Sequence, residues 1–100
     1  MTEKLKLSGG LDNTVTWVWI DKGHLKVEFY DFSETAQEMF GNDIAYILTV
    51  EEMDRLFALV KRDEDFLILW VAENFMDYFG VERWLKDNEI SFSIDRESWA

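Results

Sequence analysis

The sequence predicts an α+β fold: a largely antiparallel sheet of about four to five strands, with two to three helices packed on one face. Three observations predict it. Segments with period-2 alternation crowd the first half of the chain, whereas segments with helical spacing crowd the second. The stretch 14–30 reads as a β-hairpin on which the rest is organised. Of the 100 residues, 48% are hydrophobic and 16% aromatic, with five Trp and eight Phe, enough apolar surface for one real core. Residues 1–100 are therefore read as a single domain.

Taken in order, Lys4–Ser8 alternates as a short strand with Leu5 and Leu7 inward, and its lysines suit a sheet edge. Gly9-Gly10 breaks it, and Leu11-Asp12-Asn13 completes a turn. The hairpin arms follow, rich in β-branched and aromatic residues. Asp21-Lys22-Gly23-His24 supplies the turn, and Gly23 is expected to close it with a bulge. Val15, Trp17 and Trp19 are expected to share a face with Leu25, Val27 and Phe29, while Lys26 and Glu28 point away. The other side, with Val18, Ile20, Ala45 and Ile47, is too apolar for plain solvent and reads as a second buried layer or a homodimer surface. Ser33–Gly41 reads as one short helix or an irregular loop. Ile44–Val50 reads as a central strand, with Ile44, Tyr46, Leu48 and Val50 on one face.

Thr49-Val50-Glu51-Glu52 has the pattern of a capping box. It leads into a helix, Glu51–Arg62, whose apolar stripe is Met53, Leu56, Phe57 and Val60. The spacing of Phe66, Trp70, Val71, Phe75 and Phe79 predicts one long, largely buried helix over Glu64–Phe79, stopped by Gly80. Val81–Asn88 reads as a short third helix with Val81, Trp84 and Leu85 inward. Ile90–Ile94 alternates as a last strand, and Asp95–Ala100 reads as a tail anchored by Trp99.

The chemistry available is narrow. There is no cysteine, which excludes disulfides, thiolate metal sites and cysteine catalysis. The single histidine, His24, sits at the hairpin turn, where a polar turn residue is the simpler reading than a general base. No serine stands in a nucleophile elbow, and Asp63-Glu64-Asp65 lacks the glycine and terminal glutamate of a calcium loop. No enzyme activity, cofactor or metal is expected. The N-terminus lacks a signal-peptide apolar core, and the longest apolar run, Phe66–Ala72, is far short of a membrane span. A cytoplasmic location is the expectation.

Charge carries the functional reading. The net charge is −11, from 21 acidic and 10 basic residues. Nucleic acid and anionic membranes are poor partners for such a surface, and a basic protein is the electrostatic complement. Residues 33–54 hold six acids, Glu34, Glu38, Asp43, Glu51, Glu52 and Asp54, and no base. Residues 63–77 hold five more, Asp63, Glu64, Asp65, Glu73 and Asp77, again with no base. If these segments converge they form one negative face; otherwise they are helix-start and loop charges that aid solubility. The first group, with Asp63, Glu64 and Asp65, is the predicted partner-binding set.

Val27–Asp31, then Gly41–Val50, then the helices ending in Trp84–Ile90 resemble stretches of small uncharacterised bacterial proteins. In general character the chain is also similar to the acidic immunity proteins that neutralise toxins in bacterial competition. That resemblance implies a single-domain cytoplasmic inhibitor of a toxin, often a nuclease, and assigns no residue roles. A self-associating structural domain and a nucleic-acid-mimicking inhibitor are the other readings the sequence leaves open.

Overall fold

The computed structural model describes residues 4–7, 9, 14–31, 43–61 and 63–99. The expected α+β architecture is present. Among the described residues, five strands, β1 (Leu5–Lys6), β2 (Thr14–Asp21), β3 (His24–Asp31), β4 (Asp43–Val50) and β5 (Phe92–Trp99), form one antiparallel sheet in the order β1-β2-β3-β4-β5. Helices α1 (Met53–Val60), α2 (Glu64–Asn74) and α3 (Tyr78–Asp87) lie between β4 and β5 in the chain and cover one sheet face. The Ser33–Gly41 reading falls outside the described residues.

The hairpin is where expectation and structure first part. Lys22 and Gly23 both take positive φ (53° and 80°), so the turn has two residues and no bulge. Asp21 then faces His24, Ile20 faces Leu25, Val18 faces Val27 and Thr16 faces Phe29. Even positions of β2 therefore share a face with odd positions of β3. The buried face is Thr16, Val18 and Ile20 with Leu25, Val27 and Phe29. Trp17 and Trp19 lie on the opposite face with Lys26 and Glu28 and are only half-buried. The expected partition of β2 is inverted, because an unbulged turn sets the parity of the whole hairpin.

β4 keeps its expected partition. Tyr46 and Leu48 register on the core face beside Phe29 and Val27, and Val50 is buried in the same core. The core beneath is one cluster that joins these strands to Leu56, Val60, Leu67, Val71, Val81 and Leu85. Leu7 closes it near β1.

Three further boundaries differ. No capping box forms at Thr49, which stays in β4; the residue before α1 is Glu52, and its carboxylate is used elsewhere. The long helix is two helices. Phe75 is extended, and its ring fits edge-on against Trp70 and Trp84, with centroids 5.5 and 6.0 Å away. Asp77 then caps α3, its Oδ1 accepting the Gly80 N–H at 2.9 Å, so Gly80 lies in the first turn of a helix and stops none. A helical ladder through 75–77 would bury neither that ring nor that cap. At this junction Gly9 N–H donates to Met76 O at 2.8 Å, and a Cβ on Gly9 would stand 2.6 Å from Met76 Cβ, so the approach needs glycine. Finally, the expected tail 95–99 is the second half of β5, in register with β4 from Ile47↔Asp95 to Asp43↔Trp99.

Tyr78 N–H donates to Thr16 Oγ1 at 3.2 Å and ties α3 to β2. Burial, with Glu82 beside it, pushes the Tyr78 phenol well above its usual value and keeps it neutral.

Candidate protein-binding face

The predicted acidic residues fall in separate places. Glu34 and Glu38 lie outside the described residues. Asp43 opens β4, and Val50 closes it seven residues later, about 23 Å away at the usual rise. Asp43 therefore stands at the opposite end of the sheet from Glu51, Glu52 and Asp54, and the first acid-only segment does not converge on one spot.

Glu51, Glu52 and Asp54 gather where β4 ends, α1 begins and β5 approaches. Glu51 N–H and Glu52 N–H both donate to Ser91 O, at 2.9 and 3.4 Å, and Glu52 Oε1 accepts the Ser91 N–H at 2.8 Å. Glu52 is thus a clasp between α1 and the β5 approach. The Ser91 backbone N–H, then the Ser91 hydroxyl, hold its carboxyl below the usual glutamate range, and Arg55 adds to this. A carboxyl depressed in the folded chain contributes stability above the unfolded value, about 4.3, and that contribution is lost as pH falls through the folded value. In urea titrations between pH 7 and 3, wild type is expected to lose more of its midpoint on the acid limb than Glu52→Gln does. Equal acid limbs would remove Glu52 from that role.

Two shallow concavities adjoin the clasp, of about 400 Å³ (Glu51, Lys86, Glu89–Phe92) and about 340 Å³ (Glu51–Arg55). Their charges are mixed. Arg55 pairs with Glu89 at 3.8 Å, and Lys86 with Glu82 at 2.9 Å. His24 stands at the same end, its Nδ1–H donating to Val50 O at 2.8 Å as a clip between β3 and β4. Among the described residues no group of three His, Asp or Glu is placed to hold a metal ion. No helix among them is long and apolar enough to cross a membrane.

The third group lies on α2. Asp63 is exposed before its first turn, and Glu64 and Asp65 open that turn. Immediately after them the structure overturns an expectation. Leu67, Ile68 and Val71 are buried, but Phe66 is 54% and Leu69 52% exposed. A seven-residue apolar run wraps nearly the full circumference of a helix, and the sheet covers one side of it. Phe66, Leu69 and the exposed Glu73 stand at i, i+3 and i+7, a single outward stripe. Sequence reasoning missed Phe66 and Leu69 by reading the helix as largely buried. The available signal was its width, since an amphipathic surface helix shows a narrower apolar stripe. The result is a large apolar pair with the exposed carboxylates Asp63 and Glu73 at its two ends.

No protein-family model, no curated protein and no solved structure matches this chain.

Proposed function

We propose that the chain is an acidic protein-binding module whose binding face is the outer stripe of α2, and that its partner is a basic protein. The observation that carries this is the exposure of Phe66 and Leu69 in the acid-only segment 63–77. Interfaces draw most of their affinity from a few large side chains in a dry centre, and rim charges set the association rate and exclude wrong partners. Phe66 and Leu69 supply the centre. Asp63 and Glu73 supply the rim, in a segment to which Glu64 and Asp65 add negative charge. The cationic substrate face of a toxin, in a cytoplasmic setting, is the kind of partner this proposal takes, with carboxylates standing where substrate phosphates would. The proposal assigns binding and no catalytic step.

The test is affinity capture from the source organism's lysate at low and high salt, with wild type, Phe66→Asp/Leu69→Asp and Asp63→Lys in parallel. A basic protein should be retained by wild type at low salt, weakened at high salt, and lost by about 100-fold in the apolar double variant, two anchors at about 1–2 kcal/mol each. Asp63→Lys should chiefly slow association. A partner held equally by wild type and the double variant would move the interface off α2.

A further inference from the structure

Among the described residues, the sheet face opposite the helices carries none of the core cluster. Ala45 on β4 is fully buried on this face, and the half-buried side chains include Val15, Trp17, Trp19 and Asp21 on β2, Lys26, Glu28 and Tyr30 on β3, and Ile47 and Thr49 on β4. Charge is distributed unevenly across it. At the β1 edge are Lys6 and Lys4; the latter lies over the Trp19 ring, 4.2 Å from its centroid, and 3.9 Å from Glu28. At the β5 edge is Asp95, exposed and in register with Ile47. Among the described side chains, three cations (Lys4, Lys6, Lys26) stand against three acids (Asp21, Glu28, Asp95), a neutral face on a chain of net charge −11.

We infer that this face is the contact between two copies of the chain, packed sheet on sheet about a twofold axis running along β3. A uniformly basic partner would meet the lysine edge, and a uniformly acidic one the β5 edge. A surface bearing both signs in the opposite order fits, and a second copy rotated about that axis supplies it. The register makes the fit specific. One row across the sheet reads Lys6, Trp17, Glu28, Ile47, Asp95. Rotation about β3 lays this row on its own copy in reverse, bringing Lys6 to Asp95 and Trp17 to Ile47. Glu28 and Lys26 both lie on β3 near the axis and each meets its own copy; Lys4 beside each Glu28, and the opposite charges two residues apart along the strand, offset the repulsion. An axis across the strands would instead set lysine edge on lysine edge.

The dimensions set the strength. Four strand spacings of about 4.8 Å and eight residues at about 3.3 Å give a face of about 500 Å² per copy. A standard interface takes about 800 Å² per partner, so the dimer is weak and concentration-dependent. Edge-to-edge pairing is a poorer route, because β1 has two residues and β5 bears Asp95, Arg96 and Glu97. This contact uses a face remote from the α2 stripe and stands independently of the proposed function.

The experiment is sedimentation of wild type, Lys6→Glu, Asp95→Lys and an equimolar mixture of the two variants, with circular dichroism confirming that each is folded. Wild type should dimerise in the range of tens to hundreds of micromolar. Each variant alone should associate at least about tenfold more weakly, because both symmetric contacts become repulsive. The mixture should recover dimer. The carboxylate introduced at position 6 of one variant then meets the ammonium introduced at position 95 of the other, and the unaltered Lys6 meets the unaltered Asp95. A wild-type chain that stays monomeric to about 1 mM overturns the inference and leaves the face to another occupant. A mixture no heavier than its components overturns the twofold arrangement.

Discussion

Replacing Val18 by Asp is expected to abolish folding at 25 °C, whereas Trp17→Asp, one residue away, should leave a folded chain destabilised by about 1–2 kcal/mol. Val18 has no exposed surface and is paired with Leu5 on one side and Val27 on the other. A carboxylate there loses its hydration and gains no partner, a penalty comparable to the whole stability of a small domain, about 5–15 kcal/mol. Trp17 is half-buried on the opposite face, where Lys6 is its cross-strand neighbour. Far-UV circular dichroism and urea midpoints decide it. If Trp17→Asp were the unfolded variant, the hairpin would have the opposite parity and the helices would cover the tryptophan face.

Leu67→Ala is expected to cost about 2–5 kcal/mol, and Leu69→Ala less than about 0.5 kcal/mol. Both are leucines in the same apolar run, and hydropathy does not separate them. Leu67 has no exposed surface and packs in the core cluster with Val71 and Leu85, so truncation leaves a cavity. Leu69 points outward and is half exposed, so truncation removes contacts mainly with solvent. Urea denaturation of the two variants measures the difference directly. Similar losses would mean that α2 is buried all round, which would also remove the apolar centre of the proposed binding face.

The site was less legible than the fold. The acids at the start of α2 could be read directly, because a run of carboxylates before an apolar helix is visible in one dimension. Phe66 and Leu69 could not, since helical spacing within a fully apolar run leaves its orientation undetermined. Glu52 read as part of a capping box because Thr49 precedes it by three residues. Its real partner, Ser91, is 39 residues away and comes within reach only when β5 returns to the sheet. Asp43 and Glu51 read as one acidic segment, but a straight strand between them places their neighbourhoods at opposite ends of the sheet.

By itself the sequence determined the fold class, the sheet-then-helices order and the hydrophobic faces of β4 and α1. Those follow from local periodicity and composition, which act within a few residues. Tertiary structure decided the rest. A two-residue turn set which face of β2 is buried. The Phe75 ring, packed edge-on against both Trp70 and Trp84, split one apparent helix into two. Pairing with β4 drew an apparent tail into β5. Each of these depends on contacts between residues distant in the chain or on one turn's backbone geometry, and local preferences too weak to decide among alternatives yield to whichever packing buries more apolar surface.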